Sequence, residues 1–370
     1  MVRAAPGLAV IVLALLLPAL AGDEEPMIPD PPVTRLLGDG AGRPMQVTLC
    51  ISAEGRAGGV LREANSRSVC GPATAPFRVE MKLGAEPDSP EVRAEVRLEG
   101  GLVVYDLTCL APPQPGKNDP GSSCPPGRND PGSIFPPCTL RAVARGACSS
   151  FGELAVLPVP RVSGFAEVRV IAWLSVFDPR DRDLFPPNPS AGGASPDRTV
   201  SVALRSIPPG RSLPGETSLT APEADSFLRD AGARDLRRLS LRLAPGMAGT
   251  LESLVERDYI ADFDVEVAQS PTSFIADPIM GAVPVGLTAD FGPETGGLNL
   301  PSLRWSYTAM LGMEDFEVSP GCGPPGRIQI PTLGTTAGHT VLGPGVWLLP
   351  LAALADGGTL ILDARAGPVE

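Results

Sequence analysis

Alternation of apolar and polar residues is the dominant pattern along this chain. The segment VRAEVRLEGGLVVYDLTC at 92–109 alternates on both sides of a Gly-Gly pair, which predicts a β-hairpin. The same period of two marks strands at 165–178 and 198–207. The chain also contains 44 Pro and 42 Gly, which interrupt long periodic segments and favour turns. The pattern therefore predicts a mainly β protein.

Only one segment has the signature of a helix. Thr220 and Glu223 have the spacing of a capping box, and Gly232 is placed to end the helix. Apolar residues recur between them at helical spacing, at Ala224, Phe227, Leu228 and Ala231. Downstream, alternation predicts strands at 239–243, 259–267, 283–291, 303–311, 327–333 and 357–363. We expect a β-rich α+β fold with one short helix leading the second domain.

A segment rich in Pro and Gly, which interrupt strands and helices, divides the chain into two parts. The segment IPPGRSLPGETS begins at 207 and predicts a domain boundary near 208. We therefore expect a Cys-rich β domain at 22–208 and a second β domain at 209–370. The total length is sufficient for two domains, each with its own core.

The first 21 residues have the features of a secretory signal peptide. Arg3 provides a positive charge, an apolar run follows, and Ala19-Leu20-Ala21 offers a cleavage site. The alternative is an uncleaved anchor helix. We expect an exported protein of the periplasm or outer membrane, or a secreted protein. The formal charge of −12 argues against nucleic acid and anionic membrane surfaces as partners.

Six cysteines cluster in the first half of the chain, and Cys322 stands apart near its end. In an exported protein such a cluster predicts disulfides, and the absence of any C-x-x-C argues against zinc. We expect Cys50 to pair with Cys70 and local pairing within 109–148. The candidate disulfide cysteines are Cys50, Cys70, Cys109, Cys124, Cys138 and Cys148.

The segment DYIADFDVEVA contains three carboxylates at alternate positions, Asp262, Asp264 and Glu266. On a strand they share one face, where they could bind a hard cation if a second group of oxygens faced them. The other interpretation is the solvent-facing side of a half-buried strand. No local His, Lys or Cys is available to tune a carboxylate pKa for catalysis, which favours the solvent-facing interpretation.

Other catalytic signatures are missing from the sequence. The only histidine is His339, and the G-x-S-x-G, H-E-x-x-H, Walker and dinucleotide-binding patterns do not occur. We therefore predict a non-enzymatic protein with no catalytic residues, cofactor or metal site. A hydrolase that uses two carboxylates remains an alternative, because such residues need no fixed spacing.

Residues from about 219 to 366 resemble the secretin domain of bacterial type II and type III secretion and pilus systems. The resemblance lies in the order of TAPEADSFLRD, LSLRLAP, DYIADFDVEVAQ, DPIMGAVPVGLTADFGP, RIQIPTL and DGGTLIL. The residues that match the pattern are Asp262, Asp264, Glu266, Val283, Pro284, Gly286, Asp356, Gly357, Gly358 and Thr359.

This resemblance implies a β-rich domain whose copies assemble side by side, through edge strands, into an outer-membrane ring that conducts proteins or filaments. We accordingly expect protein partners, self-association, and a structural or accessory role in passage across the outer membrane. The alternative is a secreted β-sandwich that acts as a binding or adhesion module.

Overall fold

The structure is a computed structural model of the 370-residue chain. It describes residues 46–57, 60–72, 75–82, 89–111, 139–150, 152–160, 167–177, 197–211, 213, 215–267, 274–293, 301–318, 326–343 and 345–368. The predicted signal peptide, Cys124, Cys138 and Cys322 lie outside these residues. So does the side chain of Cys70, of which only the backbone is described.

Strands form almost all of the described structure, which confirms the mainly β prediction. They are β1 Gln46–Ala57, β2 Val60–Pro72, β3 Phe77–Lys82, β4 Glu91–Glu99, β5 Leu102–Ala111, β6 Thr139–Cys148, β7 Gly152–Pro160, β8 Glu167–Phe177, β9 Arg198–Ile207, β10 Thr217–Leu219, β11 Arg234–Leu243, β12 Gly249–Val267, β13 Phe274–Pro293, β14 Pro301–Val318, β15 Gly326–Val341, β16 Val346–Ala353 and β17 Thr359–Pro368. The one helix among the described residues, α1, spans Ala221–Asp230.

Two antiparallel sheets contain these strands. The first sheet has nine strands in the order β10-β16-β17-β9-β11-β7-β8-β1-β2, and the second has eight in the order β15-β14-β13-β12-β6-β5-β4-β3. Each sheet contains strands from both sides of residue 208. For example, β11 pairs with β7, and β12 pairs with β6. The sheets are therefore continuous across the predicted boundary.

The sheets pack face to face around one apolar core. Leu107, Leu251 and Leu287 of the eight-stranded sheet belong to the same buried cluster as Leu157 and Leu241 of the nine-stranded sheet. Alternation produces this arrangement, because every second residue of a strand points to the same face. The predicted hairpin at 92–109 is confirmed as β4 and β5, which are joined at Gly100 and Gly101 with φ of 58° and 79°.

A buried polar cluster lies where the chain passes from β6 to β7, and so from one sheet to the other. The Asp197 carboxylate, 1 % exposed, accepts hydrogen bonds from the Ser149 and Ser150 hydroxyls at 2.6 and 2.5 Å. Arg242 donates to the Ser150 hydroxyl at 3.1 Å. The Tyr105 hydroxyl donates to the Arg242 carbonyl oxygen at 2.6 Å, which links the two sheets directly.

Helix α1 begins and ends as predicted. Glu223 accepts hydrogen bonds from the backbone N–H and the hydroxyl of Thr220 at 3.0 and 2.7 Å, and Gly232 has φ of 66°. Ala224 and Leu228 are buried against the outer face of the nine-stranded sheet.

An ion pair fixes α1 to the sheet, because Arg365 donates to Asp225 at 2.8 Å. This hydrogen bond lowers the Asp225 pKa, so its contribution to stability is present above the ordinary aspartate pKa and is lost as the pH falls through the lowered value.

The expected disulfides at Cys50 and Cys109 are not formed, since both are free thiols, and the Cys148 thiol donates a hydrogen bond to the Ser150 carbonyl oxygen at 3.3 Å. Cys50 lies opposite Ser68 rather than Cys70, which lies opposite Thr48. Cys109 and Cys148 are buried at opposite ends of the β5–β6 pair, since Cys109 faces Ala142 and Cys148 faces Val103. A disulfide needs Cα atoms within about 7 Å, which this register does not allow.

We expect Cys50 and Cys109 to be alkylated by iodoacetamide after unfolding without a reductant, since each carries a free thiol. In the native protein Cys109 should react slowly, because burial raises the pKa of its thiol well above the usual value. Mass spectrometry of peptides, with a reduced sample as the control, measures the alkylation of the unfolded and of the native protein. A disulfide-linked peptide that contains Cys50 or Cys109 would contradict this assignment.

Candidate functional site

Four strands extend beyond the sandwich as two hairpins. β12 pairs with β6 only from Thr250 to Glu256, and β13 pairs with β14 only from Gly286 to Pro293. Beyond these limits, β12 and β13 pair only with each other, as do β14 and β15. We call the described residues of 257–283 arm A and those of 309–334 arm B.

The large apolar side chains that are exposed among the described residues all lie on the arms. Leu311 is the most exposed, at 70 %. The complete set is Ile279 and Met280 on arm A, with Leu311, Phe316, Val318, Ile330 and Leu333 on arm B. Scattered single apolar residues on a surface need no explanation, but a concentration on one projecting element marks an interaction site.

The arms also carry most of the predicted acidic strand. Asp262 and Asp264 of β12 are exposed, which confirms the solvent-facing interpretation for these two residues. The Asp262 carboxylate accepts a hydrogen bond from the Phe263 N–H at 2.8 Å. Glu266 lies at the end of the same strand, and its side chain is outside the described residues. A bulge at Ala261 shifts the register just before these acids.

The other residues of the secretin-like pattern lie in strand β13, in the turn between β16 and β17, and at the start of β17. Val283, half-buried, and Pro284, exposed, lie in β13 opposite Arg257 and Glu256. Asp356, Gly357 and Gly358 form the turn between β16 and β17, where the Asp356 carboxylate accepts the Gly358 N–H at 2.9 Å. Thr359 begins β17.

Gly286 is the residue of this pattern with the tightest surroundings. Its φ is 136°, and a Cβ at this position would lie 2.2 Å from the carbonyl oxygen of Ser253. The last contact between β13 and β14 before the arms separate is made here, opposite Thr308. A close approach of two backbones therefore requires glycine at this branch point.

We expect Gly286→Ala to lower the free energy of unfolding by at least about 1–3 kcal/mol, because the new Cβ meets a backbone oxygen at an unfavourable φ. Urea unfolding measures the change. Gly312→Ala is the matched control, since no atom lies within 4 Å of a Cβ at that position of arm B. Equal effects of the two substitutions would contradict the steric argument.

The two arms contact each other along their length. The Ile260 N–H donates to the Gln329 side-chain oxygen at 3.2 Å, and the Phe263 ring lies against Gly326. Arg257, only 6 % exposed, points between the arms, where its Nη1 lies 3.4 Å from the Met310 sulfur. Its Nε and Nη2 are buried and have no hydrogen-bond partner among the described residues.

We expect Arg257→Met to leave the free energy of unfolding unchanged or to raise it, because the substitution removes a buried charge without a good partner. Arg242→Met is the control, since it would leave the carboxylate of Asp197 buried without its neighbouring guanidinium, and we expect it to cost about 3–5 kcal/mol. Urea unfolding of both variants distinguishes the two environments. A large loss of stability in Arg257→Met would mean that this guanidinium has a stabilising partner.

A second polar surface crosses the whole eight-stranded sheet. Residues in register form one row on its outer face, namely Arg78, Glu95, Asp106, Arg145, Thr250, Asp290, Arg304 and His339. Part of this row lines a concavity of about 950 Å³. Its charges pair with each other, since Arg78 lies 3.1 Å from Glu95 and Arg145 lies 2.7 Å from Asp106. Because these paired charges neutralise each other, the row offers little net charge that could attract a ligand.

The described residues contain no group of three or more His, Cys, Asp or Glu side chains that could hold a metal ion. Within the same ranges, no helix has the length and apolar character that crossing a membrane requires. His339 is exposed on β15, next to Arg304 of β14. The buried Ser150–Asp197 pair has no histidine beside it in the described structure, and its hydrogen bonds serve the crossing between the sheets.

Comparison with known protein families, with curated proteins and with solved structures finds no match. The resemblance to secretins thus stays a prediction from the sequence. Alternation in the sequence did not locate the arms, because it is interrupted in the arm parts of β13 and β14. β12 to β15 are 19, 20, 18 and 16 residues long, well above the usual length of a strand.

Proposed function

We propose that this chain is an exported, non-enzymatic envelope protein that acts through assembly with protein partners, including copies of itself. Its role would be structural or accessory, in the passage of proteins or filaments across the outer membrane, as its resemblance to secretins implies. The observation that carries the proposal is the edge strand β15 together with the apolar arms beside it.

β15 ends the eight-stranded sheet and, among the described strands, pairs only with β14. No charged residue and no histidine occurs between Arg327 and His339. Thr332, Leu333, Thr335 and Thr336 are exposed within that stretch. Soluble proteins usually protect such edges with charges, because an unpaired strand offers free N–H and C=O groups to another strand. A long, uncharged edge is suited to pairing with a second chain.

The position of the acids also supports a non-enzymatic role. Asp262 and Asp264 project from the open face of a strand into solvent, two residues apart, rather than into an enclosed cleft.

A secreted β-sandwich that binds a partner as a monomer is the second candidate. The two sheets that share one core favour it, since sandwiches of this kind commonly serve as binding modules. The two functions differ in assembly state and in cellular fraction.

We expect light scattering of the mature protein in detergent extracts of membranes to show a large, stable oligomer. The double variant Thr332→Lys/Thr336→Lys should shift the mass toward the monomer, because charges on an edge strand oppose strand pairing. Ser218→Lys, an exposed position on the short edge strand β10, is the control and should leave the mass unchanged. A soluble monomer would contradict the proposal and favour the second candidate.

A further inference from the structure

Each arm places an exposed acid directly opposite an exposed isoleucine. On arm A, Asp262 pairs in register with Ile279, which is 47 % exposed. On arm B, Glu314 pairs with Ile330, which is 48 % exposed. Residues directly opposite each other in an antiparallel pair lie on the same face of the sheet. One surface of each hairpin therefore combines negative charge with apolar area.

The charge of this surface is strongly one-sided. Among the described side chains of the arms, Arg327 is the exposed base, and Arg257 is buried. The acids are Asp258, Asp262, Asp264, Glu314, Asp315 and Glu317. Asp262, Asp264 and Glu314 form no ion pair within the described part of the chain, in contrast to the acids of the charged row on the eight-stranded sheet.

From this combination we infer that the arms bind an extended segment of another protein that carries both Lys or Arg and large apolar residues on one face, at every second position. Asp262 and Asp264 are two residues apart on one face of a strand, so they lie about 7 Å from each other along the chain. Basic residues at alternate positions of an extended partner have the same spacing. The apolar residues of that partner would cover the isoleucine side chains.

The same features disfavour two other occupants. Anionic lipid headgroups would be repelled by the acids, although the exposed apolar residues alone would suit a membrane surface. A second copy of the arms would bring like charges together, which opposes contact between these acidic faces. The inference rests on the proposed function and deepens it, since it names the partner class of the arms. It concerns the faces of the two hairpins, whereas pairing between copies would use the backbone edge of β15.

The test is fluorescence anisotropy of a short labelled peptide with the repeat Lys-Ser-Lys-Ser-Leu-Ser-Leu-Ser, which places Lys and Leu on the same face when it is extended, titrated with the full mature protein. A peptide of alternating Lys and Ser, and the same repeat with Glu in place of Lys, are the comparison probes. We expect only the peptide that contains both Lys and Leu to bind well, with an affinity that falls as salt is raised. Asp262→Asn, Asp264→Asn and Glu314→Gln should each weaken binding about threefold, as expected for exposed charge pairs. Ile279→Ser/Ile330→Ser should weaken it further.

Asp230→Asn on α1 is the matched control, because Asp230 is an exposed acid far in sequence from the arms. Equal binding of the Lys-Ser peptide, an unchanged affinity in the amide variants, or tighter binding to phosphatidylglycerol vesicles would overturn the inference. An oligomer that forms without binding of the peptide that contains both Lys and Leu would refute this inference alone. Peptide binding by a soluble monomer would refute only the proposed assembly.

Discussion

The passage of the chain between the two sheets at Ser149 and Ser150 is the constraint on which the sandwich depends. β6 and β7 belong to different sheets, so the backbone that joins them must cross the apolar layer with its polar groups satisfied. The buried carboxylate of Asp197 provides the acceptors for this crossing, and Arg242 balances its charge through the Ser150 hydroxyl. The Tyr105 hydroxyl then binds the backbone of β11, which fixes the separation of the sheets at the same point. Gly146 leaves room for that ring, since a Cβ there would lie 2.7 Å from the hydroxyl oxygen.

A stable sandwich allows the arms to expose apolar area and unpaired charge. The core residues of both sheets form one cluster that does not include the exposed tips of β13 to β15. Stability and interaction are thus located in different parts of the same long strands. The bulges at Ala261 and Leu311 lie close to the points where the arms leave the body, and bulges bend and twist a strand pair.

Local features were predictable from the sequence. The hairpin at 92–109 and the capped helix after Thr220 each depend on residues within one short segment, and both are confirmed. The predicted exposure of Asp262 and Asp264 also followed from a period of two within one strand. β16 was not predicted, because Val346–Ala353 is a nearly continuous apolar segment without alternation, as expected for a strand covered on both faces by the core and by α1. The disulfides were predicted from the number of cysteines and from the expected oxidising compartment. Their pairing depends on register between distant strands, which places Cys109 and Cys148 at opposite ends of β5 and β6.

The charged row and the arms show why the surfaces of the protein were less predictable from the sequence than its strands and helix. Every strand of the eight-stranded sheet contributes one residue to the row, from Arg78 on β3 to His339 on β15, so the row exists only once seven registers are fixed. Within the row, cross-strand neighbours of opposite charge neutralise each other. On the arms, the cross-strand neighbour of Asp262 and of Glu314 is an isoleucine, so at these two positions neither the charge nor the apolar area is paired within the hairpin. A surface with unpaired negative charge and exposed apolar area is better covered by a partner that offers basic and apolar side chains together than by water or lipid alone.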